Sequence, residues 1–110
     1  MKPIPRMLLI HTVTVLSDIS KDTWGNETFG TKTVISNVRI EPKSKLIIDK
    51  QNNQVKISGL MFYDMVNSSP AYSFEETDKI EFHGNMYNIA FLKKQYDANK
   101  LHHLEIGLAL

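Results

Sequence analysis

The chain has 110 residues, 42% of them hydrophobic and 23% charged, which is the composition of one ordinary globular domain over residues 1–110. Thirteen basic residues are balanced by twelve acidic ones, and this argues against a dedicated binder of the nucleic-acid backbone. Cysteine is absent, which excludes disulfides and thiolate chemistry and fits assembly in a reducing cytoplasm.

The N-terminal third predicts extended structure. Pro3 and Pro5 disfavour a helix, and the apolar run 7–10 is too short for a signal sequence or a membrane span, so we expect no membrane partner. Residues 11–16 alternate and are rich in β-branched side chains, which predicts the first strand. Residues 17–30 carry Asp, Asn, Gly and Ser and predict a loop or an irregular hairpin.

The middle of the chain continues the two-residue period. Residues 32–40 predict a strand that ends at Pro42 and has one apolar face, formed by Val34, Val38 and Ile40. Two further strands, 46–48 and 55–63, flank a hairpin connection at 50–53; in the second of them one face carries Val55, Ile57 and Met61.

The C-terminal half begins with a segment that has no clear period, residues 64–77, which we interpret as an exposed loop. Alternating arms at 79–83 and 86–91 then surround a Gly84-Asn85 loop, and their apolar face is predicted to hold Tyr87, Ile89 and Phe91. A turn at 97–100 precedes a last strand over 101–108. About seven short strands and no amphipathic helix predict an all-β barrel or sandwich with long loops.

No residue pattern indicates an enzyme, a metal site or a cofactor site. In a strand, His103 and Glu105 would point to one side and His102 to the other, so the three cannot converge on one ion. The carboxylates of Glu75, Glu76 and Asp78 could suit glycoside cleavage, but such a run is more typical of a solvated rim. Serine-nucleophile and phosphate-binding motifs are missing.

A nucleic-acid-binding β-barrel is the alternative from another functional class. Such a barrel would need aromatic side chains exposed on a basic groove. The available aromatics are Tyr63, Tyr72, Phe74, Tyr87 and Tyr96, and the available lysines are Lys43, Lys45, Lys50, Lys93 and Lys94. Acidic residues are scattered among these lysines, and Tyr87 is in phase with Ile89, so the pattern favours a core over a binding groove.

Three aromatic residues are the candidates for contact with a partner protein. Trp24 lies in a polar stretch, where it could fold over the core as a lid or anchor a partner, since Trp is enriched at interface hot spots. Tyr72 and Phe74 lie in the loop 64–78, which is either a plain solvent loop or a segment that becomes ordered on assembly. In the second case, replacing both by Ser should leave the isolated fold intact.

The order of these features resembles the minor capsid protein family of siphophages and prophages in Gram-positive bacteria. The resemblance covers nearly the whole chain and rests on residues 1–14 (MKPIPRMLLIHTVT), 22–26 (DTWGN), 35–40 (ISNVRI), 62–64 (FYD) and 78–108, the last including the pattern D-K-I-x-F-x-G-x-x-Y-x-I and the segment LHHLEIGL. The hairpin pattern is also similar to phage head-closure and head-tail joining proteins.

The resemblance implies a structural virion protein of a tailed phage and not an enzyme. A head-closure, or stopper, protein of this kind is a β-barrel with long loops that forms a ring below the portal and adaptor. The ring retains packaged DNA, touches that DNA in passing and docks the tail proteins. The residue pattern leaves open another minor virion or tail-completion role, although an adaptor would be expected to be largely helical.

Overall fold

The computed structural model describes residues 3–48 and 51–110, and these residues contain six strands and no α-helix. A 3₁₀ turn at Arg6–Leu8 precedes the strands, which are β1 (His11–Lys21), β2 (Glu27–Ile48), β3 (Gln54–Asp64), β4 (Lys79–Phe82), β5 (Asn85–Asp97) and β6 (Lys100–Ala109). The predicted all-β class is therefore confirmed. None of the described segments is a helix of the length and apolarity that would span a membrane.

The strands form one antiparallel sheet in the order β1-β2-β3-β6-β5-β4, and pairing of β4 with β1 closes it into a barrel. Side chains of all six strands fill the interior, and the fully buried ones include Val15, Ile35, Met61, Ile80 and Ile106. Because alternate residues of a strand point to opposite faces, the two-residue period of the sequence becomes an inside and an outside.

The described sheet has six strands where about seven were predicted, because the prediction that Pro42 ends a strand is wrong. β2 runs through it for 22 residues. Pro42 is in register with Gly59, and the pairing register shifts between Pro42 and Lys45. A proline lacks an amide hydrogen, and it is tolerated next to such an irregularity since the ladder is already interrupted there.

Two β-bulges change which side chains face inward. Asn37, with φ 60°, is the extra residue where β2 passes His11, so Ile35 and Val38 are buried while Val34 is 58% exposed. A second shift between Ile89 and Phe91 moves Phe91 to the outer face, in register with Gly107. The predicted apolar faces that included Val34 and Phe91 are therefore wrong at these two residues.

The β4–β5 hairpin turn is shifted by one residue from the prediction. Phe82 pairs with Asn85, so the two-residue loop is His83-Gly84 and not Gly84-Asn85. Both loop residues have positive φ, 50° and 79°, which is the requirement of a type I′ turn. The predicted turn at 97–100 is confirmed, with Ala98 and Asn99 between the paired residues Asp97 and Lys100.

Two hairpins extend beyond the closed part of the sheet, and they explain the dimensions of 48 × 30 × 26 Å. Arm 1 is residues 17–31, where β1 and β2 pair with each other beyond the last β1–β4 pair, Leu16 with Lys79. Arm 2 is residues 43–48 and 51–57, where β2 and β3 continue beyond the last β3–β6 pair, Gly59 with Leu108. Residues 17–30 were predicted to form a loop or an irregular hairpin, and the structure confirms the hairpin, with mostly regular pairing.

Asp64 ties the N-terminal segment to the end of β3. Its side chain is fully buried, and one carboxylate oxygen accepts a hydrogen bond from the Ile4 backbone N–H at 3.0 Å. The other oxygen accepts hydrogen bonds from the N–H groups of Val66 and Asn67, at 3.0 and 2.8 Å. A buried carboxylate needs such donors to offset its lost hydration, so Asp64 holds three segments in one place.

Replacing Gly107 by Ala should lower the free energy of unfolding by about 1–3 kcal/mol, because the new Cβ would lie 2.3 Å from a ring carbon of Phe91. Gly59→Ala is the matched control, since its Cβ would meet no atom closer than 3.4 Å. Urea denaturation of both variants measures the difference. Equal losses in the two variants would contradict the packing of Phe91 on Gly107.

Candidate functional site

The tip of arm 1 presents Trp24 to solvent. The side chain is 86% exposed, so it does not fold over the core as a lid, which was one of the two interpretations of the sequence. Because the apolar surface of the indole is not buried within the molecule, it is available for contact with a partner. Contact with a partner stays a prediction for this residue.

Hydrogen bonds to Asp22 fix the turn that carries Trp24. The Asp22 carboxylate accepts hydrogen bonds from the backbone N–H groups of Trp24 and Asn26, both at 2.9 Å, and the Gly25 N–H bonds to the Asp22 carbonyl at 3.1 Å. Gly25 has φ 83°, a conformation that glycine adopts without strain. The hydrogen bond from the Asn26 backbone lowers the pKa of Asp22 below its ordinary value, so the tip carries a negative charge at neutral pH.

The loop 65–78, predicted as exposed, packs back onto the barrel. Ser36 and Ser69 exchange backbone hydrogen bonds of 2.7 and 3.1 Å. The hydroxyl of the buried Tyr63 donates to the Pro70 carbonyl at 2.8 Å, and burial raises the pKa of Tyr63. Two adjacent residues in the first half of the loop, Ser69 and Pro70, are thus attached to β2 and β3 by hydrogen bonds.

Tyr72 and Phe74 lie half-buried against the core. The Phe74 ring makes edge-on contacts with Tyr63 and Tyr72 at centroid distances of 5.2 and 4.8 Å. The Tyr72 hydroxyl donates to the Asp78 carboxylate at 3.2 Å, and this carboxylate also accepts the Glu75 backbone N–H at 3.0 Å. These contacts give both aromatics a role in the fold, and their contact with a partner stays a prediction.

An apolar cleft of about 460 Å³ lies between arm 2 and β5. Its apolar walls include Ile47, Ile48, Leu60 and Phe91. Leu60, Gly107 and Phe91 are in register across β3, β6 and β5, so they form one row on the outer face of the sheet. A second opening of about 470 Å³ shares Ile47, Ile48 and Phe91.

Lysines surround this cleft. Lys43, Lys45 and Lys93 line it, all three are exposed, and none forms an ion pair within the described part of the chain. The single carboxylate in the lining, Glu105, accepts a hydrogen bond of 2.6 Å from Gln95. The cleft thus combines apolar walls with positive charge. It was not predicted from the sequence, where the one signal for it was the spacing of two between Lys43, Lys45 and Ile47, which places them along one wall.

The histidines do not assemble a metal site. Within residues 3–48 and 51–110, no group of three or more His, Asp or Glu side chains could hold an ion. The expectation that His102 and His103 point to opposite sides is wrong, since both are half-buried and their Nδ1 atoms are 2.7 Å apart. A pairing shift between Gln95 and Tyr96 on the neighbouring strand distorts the sheet there.

The other candidate chemistries gain no support from the geometry. Of the predicted carboxylate cluster, Asp78 is 5% exposed and engaged in the loop, whereas Glu75 and Glu76 are exposed. Of the five aromatics proposed for base stacking, Tyr63 is buried and Tyr72, Phe74 and Tyr87 pack against the core, which leaves Tyr96 at 57% exposure. One exposed ring does not form a stacking platform for a nucleic-acid strand.

A family model described as minor capsid protein matches residues 5–108, which is nearly the whole chain. No curated protein sequence gives a significant match.

Replacing Phe74 by Ser should lower the free energy of unfolding by about 2–3 kcal/mol, because the ring is half-buried against Tyr63 and the core. This packing argues against the expectation that Ser at positions 72 and 74 leaves the fold intact. Tyr96→Ser is the control and should cost less than about 0.5 kcal/mol, since Tyr96 is exposed. Thermal denaturation of both variants distinguishes them, and an unchanged Phe74→Ser midpoint would contradict the packing role.

Stability should fall as the pH drops below about 6.5, the ordinary histidine value. Burial, followed by the charges of His83 and Arg39, lowers the pKa of His11, whose Nδ1 accepts the Ile40 N–H at 3.0 Å. Burial and His102 likewise lower the pKa of His103, although Glu105 and Asp64 oppose the shift. Because the folded state prefers neutral imidazole, the contribution of these histidines to the free energy of unfolding is fully present above about pH 6.5. It is lost as the pH falls towards their lowered pKa values in the folded protein.

Denaturant titrations between pH 8 and about pH 5 measure this dependence. His11→Asn keeps a hydrogen-bond acceptor beside Ile40 but does not titrate, so it should reduce the slope of stability against pH. A slope that is unchanged in His11→Asn would show that His11 does not contribute.

Proposed function

This chain belongs to the minor capsid protein family, and from that premise we propose that it is a head-closure component of a tailed-phage virion. It is a structural virion protein by family, and no arrangement in the described residues indicates enzymatic activity. In the proposed role, copies assemble in the bacterial cytoplasm into a ring on the portal and adaptor. The ring retains packaged DNA and docks the tail proteins.

The observation that carries this proposal is a closed barrel from which two hairpins project. The barrel core is filled by the strands themselves, so the fold does not need the arms for its own closure. Arm 1 and arm 2 extend from the two ends of β2. A subunit with contact surfaces at both ends can touch a neighbour on each side, which is the requirement for a ring built by heterologous contacts.

The arms also present unpaired strand edges. Residues 17–21 of β1 pair with β2 but have no partner in β4, whose pairing with β1 covers residues 14–16. Such an edge leaves backbone N–H and C=O groups available to another chain. Neighbouring subunits or the adjacent rings of the virion are the partners that we propose for these edges.

The charge of the protein fits a channel closure better than a nucleic-acid binder. The formal net charge is +1, so the ring would meet DNA without the strong counterion-release term of a dedicated binder. The proposed contact with packaged DNA is therefore a passing one. No exposed aromatic cluster in the described residues favours the alternative of a single-strand-binding barrel.

Deletion of the gene from its phage should give DNA-filled heads that lose their DNA and carry no tail, together with separate, complete tails. Electron microscopy and DNA quantification of the particles measure this. Adding the purified protein to fresh extracts should restore tailed particles. Extracts that receive the same protein unfolded by heat are the control.

Two outcomes would contradict head closure. Tailless heads that keep their DNA would move the protein to a tail-docking role without closure. Normal, infectious virions would remove the connector role altogether and leave an accessory position in the particle.

A further inference from the structure

Arm 1 ends in an exposed apolar knob, and arm 2 borders a cleft whose walls are apolar side chains and lysines. The knob is Trp24, 86% exposed on a turn that hydrogen bonds to Asp22 hold in place. The cleft of about 460 Å³ has the size of pockets that enclose a small aromatic group. Burying an indole there would remove on the order of 150–250 Å² from water, which is the contribution of a typical hot-spot residue.

The charges of the two arms are complementary. Arm 1 carries three acids and one lysine, whereas the described residues of arm 2 carry three lysines and no acid. At the knob, the Asp22 carboxylate accepts hydrogen bonds from the backbone on which Trp24 sits. At the cleft, Lys43, Lys45 and Lys93 have no ion-pair partner among the described residues. An ammonium group beside an indole face adds a cation–π attraction.

Trp24 does not occupy the cleft of its own molecule. The two arms leave β2 at opposite ends, and Trp24 is exposed, so it contacts neither wall of the cleft in its own molecule. A knob and a cleft on different surfaces of one chain make a heterologous contact, which repeats from copy to copy. We propose that Trp24 of one copy inserts between arm 2 and β5 of the next copy, with Asp22 facing the lysines of that cleft.

This inference rests on the proposed function, because it assumes that copies of the chain form a ring. It identifies the contact between neighbouring copies in that ring. It gives the occupant of the cleft as a second copy of the chain. An acidic segment of another virion protein is the competing occupant, and the experiment separates the two.

Trp24 is the one tryptophan of the chain, so tryptophan fluorescence reports on the surroundings of this side chain. As protein concentration rises from nanomolar to millimolar, the emission should shift to shorter wavelength and become protected from acrylamide quenching. Sedimentation velocity should show larger species over the same range. Higher salt should move both transitions to higher protein concentration because the paired charges are at the surface.

Ile48 and Leu46 provide a matched pair of variants on arm 2. They are 67% and 63% exposed, but Ile48 lines the cleft and Leu46 does not. Ile48→Asp should raise the dissociation constant at least about tenfold, the effect expected of a hot-spot contact, and Leu46→Asp should leave it nearly unchanged. Trp24→Ala, followed by sedimentation, should give the same loss as Ile48→Asp. Denaturation curves of all three verify that the fold is retained.

Each outcome decides between the ideas. Emission of a solvent-exposed indole up to millimolar protein overturns the knob-in-cleft contact. If rings form nevertheless, the proposed ring is supported, and the contact between its subunits lies elsewhere on the surface. If the protein stays monomeric yet its deletion still releases DNA from heads, head closure stands, self-insertion of Trp24 is wrong, and an acidic partner segment becomes the occupant to seek.

Discussion

The architecture depends on the short pairing between β1 and β4 that closes the sheet. β4 has four residues, and it joins β1 through three register pairs, at residues 14–16. Every other strand contact follows from chain order in hairpins or from β3 and β5 flanking β6. Since β1 and β2 are much longer than this closing strand, their excess length has to project as arm 1. Arm 2 has a different origin, since β3 and β6 have 11 and 10 residues but pair only over 59–64 and 103–108, which leaves the start of β3 paired with β2 alone. The two contact surfaces are therefore consequences of unequal strand lengths at arm 1 and of partial strand overlap at arm 2.

Local irregularities then decide what faces outward. The bulge at Asn37 turns Val34 to the solvent, and the shift near Ala90 places Phe91 on the outer face over Gly107. A buried carboxylate, Asp64, holds the N-terminal segment and the start of the loop 65–78 at the end of β3. The result is a barrel whose core is filled by its own strands, with exposed apolar side chains both on the arms, at Trp24, Leu46 and Ile48, and elsewhere on the surface. A core that is complete without the arms suits a virion subunit, because stability and assembly can then depend on different residues.

The predictions from sequence succeeded where the signal was local. Alternation and turn residues located every described strand, although β1 and β5 continue five and six residues beyond their predicted ends at 16 and 91. They failed at Pro42, at the bulges and at the adjacent histidines His102 and His103, because one extra residue reverses the face of every side chain that follows it. Trp24 became a candidate because of its polar surroundings, whereas the cleft on arm 2 joins residues some fifty positions apart, and the spacing of Lys43, Lys45 and Ile47 is a signal for only one of its walls.

By itself the sequence determined an all-β fold, since its two-residue period and turn chemistry exclude long helices. It also determined the charge balance of the chain and the identity of an unusual aromatic at a polar turn. Only the tertiary structure decided that the sheet closes, that Tyr72 and Phe74 belong to the packing of the fold, and that an apolar cleft opens beside three lysines. The physical reason is that strand pairing and burial are properties of residues distant in sequence, which a periodic pattern along one chain does not specify.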